Sequence, residues 1–399
     1  MKIVIIGAGV SSLAFASFIK GDIDIYDKNQ FAGRKLLATG NGRCNFTNAN
    51  LDISKYQGKD KKMIAHAIKS FGYKELIDHL NLMGILTTNL PSGRYYPATM
   101  MSNSIRDALF LKAKENGAKF HFGEEIIDFD FKKKLIFTKE KRISYDKLII
   151  ASGGKTLKNS GSDGYILEKL KKYFKITNIC YGIAPLETNK KLKKSIKGVK
   201  IKAKASLIID NKLDISSIDD IIFQDYGLTG TAIFDLSNRA SIALNNGKDV
   251  RISIDFFNDY SKEELYLFFK SRQSLFPKRN MHDFMIGLLN EKLIDFVLEK
   301  SKIQKNTISS KLSDKDLINL VRILKSMEFK IKDIHNKDNA QVTIGGIDPL
   351  EIDSINFNSK KFPDVFFIGE IVDVSGDCGG YNIQWAFSSA YAAYLKIRS

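Results

Sequence analysis

The chain has 399 residues and a formal net charge of +17, with 62 Lys and Arg against 45 Asp and Glu, and 44% of it is hydrophobic. That apolar content excludes a disordered chain, and the length exceeds what one core fills, roughly 250–300 residues, so more than one domain is expected. The charge suits polyanions, but the lysines are scattered through every segment; nucleic acid is not expected as the partner, and no run approaches the ~20 apolar residues of a membrane span.

Cys44, Cys180 and Cys378 are odd in number and far apart, so they build neither a disulfide framework nor a zinc site. No metal is expected, and a reducing cytoplasm fits best. The opening MKIVIIGAGVSS is broken by glycines and does not read as a signal peptide.

Lys2–Ile6 reads as an apolar strand, followed by the turn Gly7-Ala8-Gly9-Val10-Ser11-Ser12 and the helical stretch LAFASFIK. A second strand, Asp22–Asp27, ends on an acid twenty positions after Gly7. A dinucleotide site needs this spacing: Gly7 allows the turn, Gly9 lets the backbone approach a pyrophosphate, and Asp27 accepts from ribose hydroxyls. Ser12 takes the third glycine position and is small enough for close helix–strand packing. The alternative is a glycine turn without a ligand. The motif leaves NAD and FAD both open, but the next strand opens into a long polar loop over residues 28–50, and a loop of that length in a compact domain is usually functional. Within it, Arg34 and Lys35 can approach the pyrophosphate or ribose, while Gly40, Asn41 and Gly42 permit a backbone pressed against a flat ring.

Lys147–Ala151 reads as a return strand ending in Gly153-Gly154. Residues 190–258 alternate as strands do, and the run Lys190–Lys204 reads as a strand's solvated face. Residues 261–330 read as amphipathic helices such as KEELYLFFKSR and HDFMIGLLNEKLIDFVLEK. Asp364–Ile368 reads as a buried strand, followed by Gly369-Glu370 and Gly379-Gly380. A helix then carries Ile383, Ala386, Phe387, Ala390 and Leu395 near one face. Its first amides, of Tyr381, Asn382 and Ile383, are free at the positive end and suit an anion. An ordinary helix cap beside a core strand is the alternative.

Together GAGVSS (7–12), GRKLLATGNGRCNFTN (33–48), GRYYPAT (93–99), LIIASGG (148–154), GSDGY (161–165), YGLTG (226–230), VTIGGIDPLEID and FFIGEIVDVSGDCGGYNIQWAFSSAYAA resemble the BaiN/YhiN-type FAD-dependent oxidoreductases, also labelled aminoacetone oxidase-like. The resemblance covers most of the chain in order and is weakest over 240–335. It implies an α/β protein whose Rossmann-like FAD-binding domain is built from both chain ends, residues 1–185 and 336–399. A β-rich, barrel-like insert over 186–258 would carry a helical insert over 259–335. It also implies FAD contacts from Gly7, Gly9, Ser11, Ser12, Asp27, Lys28, Arg34, Lys35, Asn41, Gly42, Arg43, Cys44, Gly153, Gly369, Glu370, Gly380, Tyr381, Asn382 and Ile383, with Ile126 contacting adenine through its backbone. Asp27 stands where the family more often has Glu, Ser152 where Thr is usual, and Cys378 where Thr is commoner.

The implied activity is hydride transfer between flavin N5 and a small organic substrate, with NADH, NADPH or oxygen as the second partner. Without a CxxC pair, disulfide-reductase chemistry is not expected, and Cys44 and Cys378 read as packing or cofactor contacts. Arg94, Tyr96 and Tyr381 are candidates for a substrate clamp and a proton donor. The rival readings are a flavin-bearing RNA-binding or tRNA-modification protein, motivated by the charge, and a flavin-binding protein without turnover.

Overall fold

The computed structural model describes residues 1–398, which divide into two units: residues 1–181 together with those from 338 onward, and residues 182–337. In the first unit a five-stranded parallel sheet runs in the order Val365–Phe367, Lys147–Ile150, Lys2–Ile6, Asp22–Asp27, Ala118–Phe122. Ile3, Val4, Ile5 and Ile6 are all buried, because a parallel strand covered on both faces has no solvent side to alternate toward. Ile3 faces Lys147 and Lys2 faces Asp22 in register, so the turn after Ile6 and the acid at Asp27 meet at the carboxyl ends of neighbouring strands. That end of an open parallel sheet is where ligands bind.

A small antiparallel sheet lies beside this end of the chain. Thr47–Asn48 pairs with Arg94–Pro97, Thr47 opposite Tyr95 and Asn48 opposite Arg94, and Thr87–Asn89 adds a third strand. The C-terminal helix Tyr381–Arg398 packs against the first helix, Val10–Phe18. It is buried on more than the one face that its apolar spacing indicates: Gln384, Ser388 and Ser389 are fully buried along with its alanines. The small residues let neighbouring helices close in. The polar ones are satisfied internally, Ser388 and Gln384 by the Phe71 carbonyl and Ser389 by the Trp385 carbonyl.

The second unit is a closed six-stranded barrel in the order Leu186–Thr188, Gly227–Thr229, Lys212–Gln224, Lys200–Ile209, Val250–Asp255, Met327–Ile334. Helices lie between its last two strands. The stretch HDFMIGLLNEKLIDFVLEK forms two helices, Met281–Met285 and Glu291–Lys300. Gly287 takes a positive φ of 85° between them, and the Asn290 side chain caps the second by accepting from Lys292 N. The alternating MEFKIKDI returns as a barrel strand rather than a helix because its buried positions recur every second residue. Among the described residues no helix is long and apolar enough to cross a membrane.

His79 sits in an aromatic cluster in the first unit, its ring 4.5 Å from that of Phe18 and its Nε2 2.8 Å from Ser17 Oγ. Burial, with a smaller contribution from Lys112, pushes its pKa from 6.5 down to about 4. The folded state therefore binds this proton less well than the unfolded chain. The contribution to stability is complete above pH 6.5 and is lost as the pH falls toward 4, amounting to at most about 3 kcal/mol. Urea-unfolding midpoints measured between these pH values should fall in the wild type, and His79→Gln should flatten that part of the profile; an unchanged slope would remove His79 as its cause.

Candidate functional site

At the first turn Gly7 has φ 93°, and a Cβ there would lie 2.7 Å from the Ala151 carbonyl oxygen. Only glycine allows the strand ending at Ile150 to pass so close. At Gly9 the nearest atom to a built Cβ is 4.0 Å away, and the Val10–Phe18 helix has no side-chain cap, so its first amides stay open to an anion. Ser12 is fully buried and bonds to the Gly7 carbonyl, tying the helix back to its own turn. Ser11 packs against Gly369, where a Cβ would meet Ser11 Oγ at 2.6 Å.

Asp27 accepts from Ala8 N at 2.6 Å through Oδ2, and from Asn29 N and Nδ2 at 2.7 and 2.8 Å through Oδ1. The shorter acid thus folds back onto the fingerprint. A carboxylate offers about four acceptor positions, so one remains for a ribose hydroxyl. Beyond it lies a cavity of about 580 Å³ lined by Lys28, Asn29, Arg34 and residues Phe122 to Glu125. Lys28 is held by Asp163 at 2.6 Å, and Arg34 Nη1 by Asn29 Oδ1 at 2.7 Å. Ile126 is buried in the core next to this lining.

Lys35 Nζ contacts Glu370 Oε1 and Oε2 at 2.8 and 2.7 Å and Thr156 Oγ1 at 2.8 Å, while Thr343 N donates to Glu370 at 2.7 Å. Protein oxygens fill its three donors, so the expected phosphate contact finds no free donor on Lys35; the side chain ties the 33–48 loop to Gly369-Glu370. Near this network, Gly153 has φ 74° and a Cβ on it would lie 3.3 Å from Ser162 Oγ. That hydroxyl is buried without a hydrogen-bond partner among the described residues. An orphaned hydroxyl, an open helix start and a glycine cradle fit a ligand with polar edges such as FAD.

In the 33–48 loop Gly40, Asn41, Gly42 and Cys44 all have positive φ, between 55° and 81°. For Cys44 this conformation costs of order 1–3 kcal/mol. Its thiol is wholly buried, and burial pushes the pKa up to about 12 despite the opposing effect of a hydrogen bond with Thr39. Cys44 is therefore a neutral packing residue and not a thiolate.

The loop's end meets the C-terminal helix start. A Cβ on Gly380 would lie 2.7–2.8 Å from Thr47 backbone atoms. Asn48 Nδ2 donates to the Gly379 carbonyl at 3.1 Å, and Thr47 Oγ1 to Gln384 Oε1 at 2.5 Å. Asn382 pairs with both backbone groups of Gly376 at 2.8 Å, so its side chain shapes the turn while Ile383 is buried beneath it.

Arg94 and Tyr96 share a face of their strand because side chains alternate. Tyr96 packs against Gly40, whose built Cβ is 3.6 Å from its ring, and the Arg43 guanidinium lies 5.6 Å over that ring. A Cβ at Gly379 would lie 3.7 Å from Arg94 Nε. The two candidates are thus brought to the junction of loop and helix. Arg94 is half-buried, and neither its guanidinium nor the Tyr96 hydroxyl has a hydrogen-bond or ion-pair partner among the described residues. Tyr381 is different: its buried hydroxyl donates to the Asn50 carbonyl at 3.3 Å. It ties the helix start to the loop, whereas the Tyr96 hydroxyl is left without such a bond among the described residues. Sequence reasoning does not single out Thr47, Asn48, Thr156, Thr343 or Ser162; Thr47 and Asn48 stand inside the GRCNFTN block, Ser162 inside GSDGY and Thr343 inside VTIGGIDPLEID, whereas nothing local marks Thr156.

A family model described as the HI0933-like protein Rossmann domain matches residues 1–395. The chain is 29% identical to a 3-dehydro-bile acid delta(4,6)-reductase of Clostridium scindens, over 98% of each chain. It is 25% identical to a ribosomal RNA dihydrouridine synthase of Escherichia coli, covering 98% of this chain and 96% of the relative. A relative of the same description from Haemophilus influenzae is 27% identical, covering 99% and 98%. Among solved structures, a 3-ketosteroid delta1-dehydrogenase from Sterolibacterium denitrificans shares the fold, with a TM-score of 0.51 at 8% identity and 99% of each chain covered.

Gly380→Ala should separate the loop from the helix start, since neither φ 98° nor the Thr47 backbone accommodates a methyl group. The expected outcome is a stability loss of about 1–3 kcal/mol together with weaker FAD retention. Thermal denaturation and flavin absorbance after gel filtration measure the two effects. Wild-type values for both would show that the junction tolerates a side chain.

Proposed function

We infer the reaction from one premise: the chain belongs to the HI0933-like family and is an FAD-dependent oxidoreductase. We propose that it saturates an electron-poor carbon–carbon double bond conjugated to a carbonyl group. The observation that carries this reading is the free Arg94 beside the free Tyr96 hydroxyl at the loop–helix junction. The names of the relatives agree with it. A 3-dehydro steroid with delta(4,6) bonds and the uracil ring of uridine both place a double bond next to a carbonyl, and in both the reduction adds hydrogen across that bond.

FAD would be held by the open amides after Gly9, by the remaining acceptor position of Asp27, by the cavity beyond it and by the Ser162 hydroxyl. When bound it supplies the hydride for the carbon remote from the carbonyl. The chain's own residues supply the rest. The Arg94 guanidinium binds the carbonyl oxygen and stabilises the negative charge that develops there; preorganised donors of this kind are worth about 10²–10³ in rate. Tyr96 gives its hydroxyl proton to the carbon beside the carbonyl and recovers one from solvent. The two electrons come from a reduced nicotinamide nucleotide, NADH or NADPH, bound transiently, since the sequence carries no second glycine fingerprint.

Of the two substrate classes we favour uracil within RNA. Scattered lysines alone do not single out nucleic acid, but a net charge of +17 gains weight beside two relatives named for modifying ribosomal RNA. A steroid enone is the second reading, favoured by the 29% identity to the bile acid reductase.

The test is anaerobic titration of the FAD-loaded protein with NADH and NADPH, followed by unmodified ribosomal RNA transcript or a 3-oxo-4,6-diene steroid. Reduced nicotinamide should bleach the flavin bands, and RNA should restore them while its uridines gain two hydrogens by mass spectrometry. Restoration by the steroid alone would select the second reading, and restoration by neither would end the double-bond proposal. Arg94→Met should keep its FAD and lose about 10²–10³-fold in kcat/KM; near-wild-type turnover would remove Arg94 from the site.

A further inference from the structure

The barrel unit carries a feature that the reaction does not use. Between Glu187 and Asp210 the chain has eight lysines and no acidic residue. Three of the eight are ion-paired: Lys193 with Glu299, Lys197 with Asp225 at 3.2 Å, and Lys200 with Asp220 at 2.5 Å. Lys190, Lys191, Lys194 and Lys202 are exposed and Lys204 half-buried, and none of these five has a carboxylate partner among the described residues. Of the acids on neighbouring strands, Glu187 is engaged by Lys332 at 3.2 Å and Asp255 by Lys325 at 2.7 Å, while Asp219, opposite Ala203, accepts from Asp220 N and pairs with no lysine among the described residues. The uncompensated charge is therefore local.

This segment is also fixed in place. Thr188 N donates to the Tyr226 carbonyl and Leu192 N to the Asp225 carbonyl, both at 2.9 Å, and Thr188 Oγ1 donates to the Lys190 carbonyl at 2.8 Å. These bonds hold Lys190 and Lys191 beside Tyr226. The ring of Tyr226 lies flat on that of His335, centroids 3.5 Å apart and planes within 5°, and both rings are half-buried. A row of free ammonium groups bordering a partly exposed aromatic pair is the combination that single-stranded nucleic acid uses, phosphates on the lysines and bases against rings.

We propose that the Lys190–Lys204 stretch of the barrel unit, with the Tyr226–His335 ring pair, binds the sugar–phosphate backbone of the RNA whose uracil is reduced. The proposal rests on the RNA reading above and adds the surface that carries affinity. Long lysine side chains on the barrel's outside give charge without base recognition, so this surface contributes binding and leaves the choice of uridine to other contacts.

The test uses the full FAD-loaded chain, the triple variant Lys190→Glu/Lys191→Glu/Lys194→Glu, and the charge-keeping triple variant with Arg at the same positions. Fluorescence anisotropy with a labelled, unmodified ribosomal RNA fragment is followed over a range of salt concentrations. The Glu variant should bind at least about tenfold more weakly, and its log–log salt slope should shrink by about 0.7 for each phosphate that is no longer neutralised, about two in all. The Arg variant should match the wild type, and flavin content and melting temperature should not change in either. If the wild type binds RNA and the Glu variant binds it with the same slope, the surface assignment is overturned while the RNA reading stands. If the wild type binds no RNA, the RNA reading itself fails. Loss of binding to phosphatidylglycerol vesicles in the Glu variant, with RNA binding intact, would overturn the proposal in favour of a lipid surface.

Discussion

The approach of the Gly380 backbone to that of Thr47 is the constraint on which the candidate site depends. With a Cβ position only 2.7 Å from the opposing chain, no side chain fits between the 33–48 loop and the start of the C-terminal helix. Once the two backbones touch, other groups follow. Asn48 reaches the Gly379 carbonyl, Thr47 reaches Gln384, and the Tyr56 hydroxyl finds the Tyr381 carbonyl at 3.0 Å. Because Asn48 is paired with Arg94 in the small antiparallel sheet, the same approach sets where the guanidinium stands. Placement of the candidate side chains is thus a consequence of backbone packing.

A second bridge, Lys35 to Glu370, crosses from the same loop to the turn after the last parallel strand. It is half-buried and embedded in Thr156 and Thr343, so breaking either partner would leave a charge facing poorly hydrated surroundings. Two basic residues adjacent in sequence therefore do different things: Arg34 lines the cavity beyond Asp27, while Lys35 holds two ends of the chain together. Cys44 contributes volume, one of the two roles its motif position leaves open, because a wholly buried thiol has no water or cation to stabilise its anion.

Most of the scaffold is legible in the sequence because its signals are local. The KIVII run, the Gly7–Ser12 turn and the acid at Asp27 each announce themselves within a few residues, and the structure joins them at the end of one parallel sheet. The alternating strands of residues 200–209 and 250–255 are equally plain. What escapes a local reading depends on partners far away in the chain. The direction of the Tyr381 hydroxyl is set by Asn50, more than three hundred residues earlier, and Ser388 is tolerated in a buried helix only because the Phe71 carbonyl waits for it. The strand Met327–Ile334 merges with the preceding helices in the sequence because a barrel's last strand is recognisable only once its neighbours are known.

The order of the parallel sheet has a consequence for how this protein is made. Residues 182–337 form a contiguous unit that can fold as soon as it leaves the ribosome, since its barrel draws on no strand outside that span. The first unit cannot finish, because the strand flanking Lys147–Ile150 is Val365–Phe367 and the wall against Thr47 is Gly380. Its N-terminal strands must wait, with one edge of the sheet bare, through synthesis of more than two hundred further residues, at about 5–20 residues per second. An unpaired parallel edge is a place where chains stick to one another. Nascent-chain solubility should therefore be most vulnerable late in translation, just before the last strand arrives.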